Sequence, residues 1–294
     1  MLSLEYLAGL LDEYRAAAGA KVREFAIGNR HFAFNSEPAI MGVINLSPDS
    51  WYRESVCLTA DAAVARGMVL RAQGADIIDV GAESTLAQAG RLDAAGQQSK
   101  LLPVVRELAA AGLIVSVETY ETEVARAGLE AGTRVINLTG VEEAAEVYRM
   151  AAEFSAGVVI CYVQGRNVRE VGEFDFKNII PAMEDYFRRQ TDLAAKAGLE
   201  RVWIDPGLGF YYRNLRDSAT RVRHQMLTFL NTFRLRALGF PVCHALPHAF
   251  EYFGEEVRCA EPFFAVLAAL GKTDLFRTHE VPRIKGVLET LKVF

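Results

Sequence analysis

Short apolar runs alternate along the chain with longer stretches in which apolar residues recur at helical spacing. The runs are continuous rather than alternating, which is typical of strands that are buried on both faces of a parallel sheet. Stretches such as Asp61–Gln73 and Glu121–Ala131 carry the helical spacing between the runs. We predict strands at eight runs, namely Ala39–Ile44, Asp76–Val80, Leu113–Val117, Arg134–Ile136, Val158–Val163, Val202–Ile204, Phe240–Cys243 and Asp274–Phe276.

Eight strand–helix units predict an α/β fold, a (β/α)8 TIM barrel. Residues 1–37 precede the first unit and predict a helix followed by a small hairpin, FAIGNRHFAF. The predicted organisation is an N-terminal helix and hairpin extension over residues 1–37 and a barrel over residues 38–294. A doubly wound open sheet is the alternative fold, but no GxGxxG motif follows the first strand and eight units suffice to close a barrel.

The composition is that of a globular protein. The 294 residues are 51% hydrophobic and 23% charged with a net charge of −5, which excludes a disordered chain and indicates neither nucleic acid nor an anionic membrane as a partner. No apolar stretch reaches the roughly 18 residues of a membrane span, and the early acids and helical spacing do not indicate a signal peptide. The four cysteines form no CxxC pair, so we expect reduced thiols in a cytoplasmic protein.

Polar residues follow every predicted strand, where the active sites of TIM barrels lie. Asn and Asp at strand ends often cap the next helix or shape a turn, and this alternative stays open for Asn45, Asn137 and Asp205. Glu118 is a poor cap, which favours a role in a site. The histidines match no zinc-binding spacing, so the sequence predicts no zinc site. The candidate residues are Asn45, Thr85, Glu118, Asn137, Gln164, Asp205, His244, His248, Arg277 and His279.

Several separate motifs resemble those of the dihydropteroate synthase family. IMGVINLSPDS is similar to the family's opening IMGILNVTPDSF, and ADIIDVGAEST is similar to its ADIIDIGGESTRPG. Further along, VSVETYETEVARAGLEAGTRVINLTG, IDPGLGF and LFRTHEV resemble family segments in the same order. The likeness extends from about Pro38 to Val281, and the fold that it implies is again the TIM barrel.

The resemblance implies a pterin site inside the barrel. Asn137 and Asp205 match the residues that read the 2-amino and N3 edge of the pterin ring, where a carboxylate makes a charge-assisted pair with an amidine-like edge. Glu118 stands where the family has Asp and is expected to face the same ring. Asn45 matches the Asn near the substrate diphosphate and its Mg²⁺, which makes Asn45 the candidate metal residue.

The resemblance also implies a reaction. In the family, diphosphate leaves 6-hydroxymethyl-dihydropterin diphosphate and the amine of p-aminobenzoate attacks the carbon, so the protein's task is positioning and charge stabilisation. Arg277 and His279 match the pair that holds the leaving diphosphate. Thr85 and Gln164, in the loops after the second and fifth strands, are expected to contact the substrate as well.

The departures from the family fall on the aminobenzoate side. The family's ESTRPG loop here reads EST followed by Leu86 and Ala87, so its Arg and Pro are missing. A Ser-Arg-Lys sequence is expected after the seventh strand, but this chain has CHALPHAF, in which His244 and His248 are the candidate catalytic substitutes. A histidine supplies a hydrogen bond to the ring but no permanent charge at pH 7.

We therefore hypothesise a pterin-binding transferase that acts on 6-hydroxymethyl-dihydropterin diphosphate and has an altered acceptor site. The alternatives are a catalytically inactive pterin-binding or regulatory paralogue, an ordinary synthase that uses His244 or His248 in place of Lys, and a one-carbon methyltransferase-type pterin domain. Synthases of the family are usually dimers, so the resemblance implies a homodimer. The apolar segment Glu261–Leu270 suits such a face and equally suits a core helix.

Overall fold

The structure is a computed structural model that describes residues 1–50, 52–84, 89–168, 170, 178–209 and 217–294. Within these ranges the strands are β1 (Phe25–Ile27), β2 (Arg30–Phe32), β3 (Ala39–Asn45), β4 (Ile77–Gly81), β5 (Val115–Thr119), β6 (Val135–Leu138), β7 (Gly157–Cys161), β8 (Val202–Asp205), β9 (Cys243–Ala245) and β10 (Leu275–Thr278). The helices in the same ranges are α1 (Leu4–Glu13), α2 (Arg15–Ala18), α3 (Ala60–Gln73), α4 (Ala94–Ala110), α5 (Thr122–Ala131), α6 (Ala144–Glu153), α7 (Ile179–Lys196), α8 (Ser218–Leu230), α9 (Thr232–Arg236), α10 (Phe250–Phe253), α11 (Ala260–Leu270) and α12 (Val281–Leu291). Two 3₁₀ helices cover Arg53–Ser55 and Gly254–Cys259.

Strands β3 to β10 form one parallel sheet that closes on itself. The hydrogen-bonded order is β8-β7-β6-β5-β4-β3-β10-β9, so neighbours in the sequence are neighbours in space. The two ends of this order meet at a parallel bridge between Ile204 and Val242, where the Ile204 N–H donates to the Pro241 carbonyl at 3.0 Å. The predicted (β/α)8 barrel is confirmed. The doubly wound alternative is wrong, because an open sheet would leave these two edge strands unpaired.

The helices pack around the barrel in the way that a βα repeat requires. Helix α3, for example, begins after Thr59, whose Oγ1 accepts the Ala62 N–H at 3.2 Å, and ends at Gly74, which has a left-handed φ of 111°. All seven residues of β3 are buried, because one face packs on helices and the other faces the barrel interior. Among the described residues, no helix has both the length and the apolarity that crossing a membrane requires.

The hairpin of β1 and β2 closes the end of the barrel at which the strands begin. Phe25 and Phe32 pair across the hairpin, and their rings lie 4.6 Å and 5.9 Å from the ring of Trp203 in β8. Phe34 packs on Trp203 from 6.0 Å. Phe32 belongs to the same apolar cluster as Met41 inside the barrel. The hairpin therefore shares its core with the barrel.

Several strands continue one or two residues beyond the predicted apolar runs. Glu118 lies within β5, Asp205 is the last residue of β8, and Arg277 lies within β10. The apolar run ends where side chains begin to face the open end of the barrel, but the backbone ladder continues there. The strands therefore fix these polar side chains more firmly than loops would.

Candidate functional site

A pocket opens at the carboxyl ends of the barrel strands. Residues from β3, β5, β6, β8 and β10 form its floor, and loops and α8 form its walls. Of the residues predicted from the sequence, it is lined by Asn45, Glu118, Asn137, Asp205, His248, Arg277 and His279. The structure thus brings together most of a set that is spread over more than two hundred positions of the chain.

Arg277 lies on the pocket floor between two carboxylates. Its Nε lies 2.7 Å from Asp79 Oδ2 and its Nη2 lies 2.9 Å from Glu118 Oε2. Burial disfavours the charge, but Asp79 and Glu118 outweigh burial and raise the pKa of Arg277. The family resemblance placed this residue beside His279 at the leaving diphosphate. In the structure Arg277 contacts Glu118, which is expected to face the pterin ring, and its role at the diphosphate stays a prediction.

Asp79 organises the floor, although it was not among the residues predicted from the sequence. Its carboxylate is completely buried and accepts hydrogen bonds from Ser116 Oγ at 2.6 Å and from Asn137 Nδ2 at 3.1 Å. These contacts, with Arg277, fix which way the Asn137 amide points, so that its Oδ1 faces the Cys161 thiol at 3.5 Å. The sequence did hold a signal for Asp79, since it is an acidic residue inside a predicted buried strand. A buried carboxylate requires polar or charged partners, so such a residue indicates a site.

Asp205 is held by the turn that follows β8. Its Oδ1 accepts the Gly207 N–H at 2.7 Å, and Gly207 has a φ of 73°, which favours glycine. Burial raises the pKa of Asp205 to about 6, against the effect of the Gly207 hydrogen bond. The DPGLG sequence therefore orients a carboxylate that is mostly ionised at pH 7 but close to its titration range.

Glu118 shares the floor and titrates at a still higher pH. Burial raises its pKa to about 7, the positive charge of Arg277 opposes this shift, and the negative charge of Asp79 adds to it. Gly81 makes room for the longer side chain, because a Cβ at Gly81 would lie 3.2 Å from Glu118 Oε2. The floor thus has carboxylates in excess over its guanidinium and suits a ligand edge rich in N–H donors.

Asn45 lies at the end of β3 beside this floor. Its Nδ2 donates to Ser55 Oγ at 2.6 Å, so the amide oxygen is the atom left to meet a ligand at the pocket. An amide oxygen is the kind of donor that Mg²⁺ accepts, and Mg²⁺ commonly takes one or two protein oxygens beside phosphate and water. Asn45 therefore fits the magnesium role that the resemblance implies.

His248 and His279 lie together at the rim and share one acidic partner. His279 Nδ1 lies 2.8 Å from Glu261 Oε1, and His248 Nε2 lies 3.6 Å from the same oxygen. Tyr52 stacks on both imidazoles, at 4.5 Å from His279 and 5.1 Å from His248, and its hydroxyl donates to Glu280. Glu261 was not predicted, because nothing in the sequence links α11 to these histidines.

Two of the described residues that were predicted for the site, His244 and Gln164, do not line the pocket. His244 is completely buried, its Nε2 lies 2.8 Å from Thr232 Oγ1 and its ring packs on Phe229, so the structure gives it a packing role. Gln164 donates to the Tyr162 hydroxyl at 2.8 Å and is not among the lining residues. Thr85 lies outside the described residues.

Helix α8 contributes two lining residues that sequence reasoning missed. Arg221 and Gln225 both line the pocket, one helical turn apart on the same face. Arg221 pairs with Glu251 through Nη2 at 2.5 Å, and Gln225 donates to the Leu208 carbonyl at 3.2 Å. Their spacing on a helix that follows the DPGLG turn was the only signal in the sequence.

A (β/α)8 barrel with a polar pocket at the carboxyl ends of its strands defines a site for a small molecule, in the position that TIM-barrel enzymes use. The chain belongs to the pterin binding enzyme family, whose profile matches residues 41–246. This confirms the family relationship inferred from the motifs, and the chain is dihydropteroate synthase-like in both sequence and fold.

Individual relatives agree with this assignment. A probable bifunctional folylpolyglutamate synthase/dihydropteroate synthase of Halobacterium salinarum is 31% identical over 252 residues, which cover 83% of this chain and 30% of that protein. The chain thus spans about a third of the length of this relative. A dihydropteroate synthase of Streptococcus pyogenes is 28% identical over 273 residues, covering 88% of this chain and 97% of that enzyme. The Xanthomonas albilineans dihydropteroate synthase solved with 4-aminobenzoic acid is 26% identical and has a TM-score of 0.77, with 93% of this chain and 98% of that chain covered.

Proposed function

We propose that this chain is a pterin-binding transferase of the dihydropteroate synthase type that acts on 6-hydroxymethyl-dihydropterin diphosphate. The observation that carries the proposal is the pocket floor, where Asn137, Asp205 and Glu118 converge around Arg277. The 2-amino and N3 edge of a pterin offers adjacent N–H donors, and a buried carboxylate is their strongest acceptor. Asp205 and Asn137 are the proposed readers of that edge.

The diphosphate would lie toward the rim, near Asn45, His248 and His279. The Asn45 amide oxygen is the proposed protein ligand of Mg²⁺, which when bound supplies charge neutralisation for the diphosphate. His279 is proposed to donate a hydrogen bond to a diphosphate oxygen, with Glu261 orienting the imidazole. The chain's own contribution is to hold the leaving group in line with the attacking amine.

The reaction exchanges one bond for another at the methylene carbon of the pterin. The carbon–oxygen bond to diphosphate breaks with its electron pair, and an amine nitrogen forms the new carbon–nitrogen bond and then loses a proton. Leu246 and Pro247 are proposed to form the wall on the acceptor side, where the resemblance leads to Ser-Arg-Lys. Arg221, which lines the pocket from α8, is the proposed partner for a negatively charged group of the acceptor.

Calorimetric titration tests this function. Purified protein is titrated with 6-hydroxymethyl-7,8-dihydropterin diphosphate and Mg²⁺, p-aminobenzoate is added, and released diphosphate is measured. We expect pterin binding that Asp205→Ala abolishes, while Asp12→Ala, which removes an exposed ion pair with Arg15 in the N-terminal extension, leaves it unchanged. Pterin binding without release of diphosphate would contradict the transferase and favour the catalytically inactive paralogue. Absence of binding to the unaltered chain would refute the pterin site.

We also propose a homodimer and a cytoplasmic location. Phe263, Val266 and Leu270 are exposed on one face of α11 at helical spacing, which supports a second copy of the chain as the partner. All four cysteines are free thiols, and three of them are buried, which supports a reducing compartment. Light scattering on the unaltered chain and on Phe263→Glu tests the dimer, which the charge is expected to dissociate.

A further inference from the structure

Three metal-binding side chains converge at the rim of the pocket from three different segments. His248 comes from the loop after β9, His279 follows β10, and Glu261 is the second residue of α11. One donor atom from each lies within 4.8 Å of the other two. We propose that His248, Glu261 and His279 bind a divalent transition-metal ion of the zinc type, at a site separate from the Asn45 magnesium position.

The donor set and its dimensions fit such an ion. Two imidazoles and one carboxylate, with a further position open, form a recurring catalytic zinc site. Tetrahedral ligands with bonds of about 2.1 Å lie about 3.4 Å apart. The separations from Glu261 Oε1, 2.8 Å to His279 Nδ1 and 3.6 Å to His248 Nε2, lie on either side of that value. Small shifts of two side chains would make room for the ion.

The surroundings of the three residues support ligation. Tyr52 stacks on the faces of both imidazoles, with His248 Nε2 and His279 Nδ1 on the ring edges that face Glu261. The Glu261 carboxylate is completely buried and accepts from Thr278 Oγ1 and from the His279 backbone N–H at 3.1 Å. Such outer contacts typically fix the orientation of metal ligands.

Two of the three side chains, His248 and Glu261, are buried, and His279 is partly buried. The three donors therefore meet inside the protein and not on its surface. The sequence could not reveal this, because the three residues match no zinc spacing.

Both histidines line the pocket, so a metal that they hold would be accessible to a ligand bound there. This step rests on the proposed function, in which a diphosphate oxygen lies at the rim. The metal would then supply, at this point, a positive charge that the missing Lys and Arg do not provide.

Co²⁺ is the probe for the metal site, measured without any pterin. The protein is stripped with a chelator, titrated with Co²⁺ and followed by visible absorption, and Zn²⁺ is added as a competitor. We expect one Co²⁺ per chain with visible bands that Zn²⁺ removes, and at least tenfold weaker binding in His248→Ala and His279→Ala. Exposed His31→Ala is the matched control and should bind Co²⁺ unchanged.

The variants and their controls separate the outcomes. Absence of Co²⁺ binding, or binding that His248→Ala leaves unchanged, overturns the proposal. Circular dichroism must show that each variant is folded, and Glu261→Gln, which keeps the shape of the side chain, should also weaken binding tenfold. Asn45→Ala should leave the cobalt bands unchanged, which separates this site from the magnesium position.

Inorganic diphosphate tests the open position. Its addition to the cobalt-loaded protein should shift the visible bands, because a new oxygen ligand changes the coordination. Unchanged visible bands would contradict the proposal that the bound metal is accessible to a ligand in the pocket. Failure of pterin binding leaves the cobalt titration unaffected, so the two proposals fail separately.

Discussion

Arg277 is the cationic partner of Asp79, which is the most deeply buried carboxylate of the pocket floor. Its removal would leave Asp79 without its cationic partner in a site with no exposure to water. We expect Arg277→Ala to lower the free energy of unfolding by about 3–5 kcal/mol, because an unpaired buried charge is left behind.

Urea unfolding at pH 7.5 measures the free energy of unfolding of this variant. Arg149→Ala, which removes exposed pairs with Glu146 and Glu153, is the control and should cost less than about 1 kcal/mol. Equal effects of the two variants would contradict a buried ion pair at the floor.

Ionised Asp205 is expected to lower the free energy of unfolding at pH values above its folded pKa of about 6. Its folded pKa of about 6 exceeds the ordinary value of 3.8, so its contribution is fully present below about pH 4 and is lost as the pH rises through about 6. Asp205→Asn keeps an oxygen for the Gly207 N–H but carries no charge. We expect the variant to be more stable than the unaltered chain by about 1–3 kcal/mol at pH 7.5 and equal to it near pH 4. Thermal unfolding at both pH values measures the difference, and a gap that is independent of pH would contradict the assignment.

Pterin affinity should depend on the same carboxylate. If ionised Asp205 reads the ring edge, affinity falls as the pH drops below about 6, because protonation removes the acceptor. We expect about a tenfold loss per pH unit below that point, as measured by calorimetry from pH 5 to pH 8. Glu118→Gln removes the acid that titrates near 7, and the loss below pH 6 should remain. A loss that disappears in this variant would assign the titration to Glu118.

At the scale of elements, close packing of α8 against α11 depends on one glycine. A Cβ at Gly271, which ends α11, would lie 1.7 Å from the Phe229 carbonyl oxygen in α8. Gly271→Ala must push the two helices apart, and we expect it to lower the free energy of unfolding by about 3 kcal/mol. Gly286, exposed in α12, is the matched control, because a Cβ added there would have no atom within 4 Å. Gly286→Ala should raise stability by up to about 1 kcal/mol, because Ala is the better helix former. Chemical denaturation of both variants checks the pair, and a tolerated Gly271→Ala would contradict this contact.

The strands illustrate how far local patterns reach. Each predicted apolar run overlaps a strand of the barrel, because burial on both faces leaves a continuous hydrophobic signature. The ends were displaced, most clearly at β9, where Phe240–Cys243 was predicted and Cys243–Ala245 is observed. A strand ends where its backbone hydrogen bonds to the neighbouring strand end. Side-chain polarity indicates that point only indirectly, so the predicted ends were displaced.

At the scale of the whole molecule, the hairpin and not the first helices completes the barrel. Helices α1 and α2 contribute no buried residue, whereas Ile27 and Phe32 are 1% exposed. We expect a chain that lacks residues 1–18 to stay folded, with a melting temperature lowered by at most a few degrees. A chain that lacks residues 1–37 should lose native packing, because Trp203 and its neighbours become exposed. Near-ultraviolet circular dichroism distinguishes the two chains, and a native spectrum from the shorter one would establish the predicted boundary at residue 37 as that of an independent barrel.

Sequence patterns predicted the site residues at strand ends but not those whose partners lie far away in the chain. Asn45, Asn137 and Asp205 were predicted to face the open end of the barrel, and they line the pocket, because they lie at the ends of strands whose position the sequence reveals. Asp79 and Glu261 were missed because their roles come from partners far away in the chain, such as Arg277, which lies 198 residues beyond Asp79. His244 was misjudged for the converse reason, since its sequence context resembled the loop that carries function and its side chain points into the core.

The sequence by itself determined the barrel and the strand ends that carry polar side chains, because apolar periodicity and turn residues act over short distances along the chain. Only the tertiary structure decided which of those side chains meet. The pairing of Arg277 with Asp79 and Glu118, and the convergence of His248, Glu261 and His279, arise from closing eight strands into a ring. Closure brings distant strand ends within hydrogen-bonding distance, and no local pattern in the sequence records that proximity.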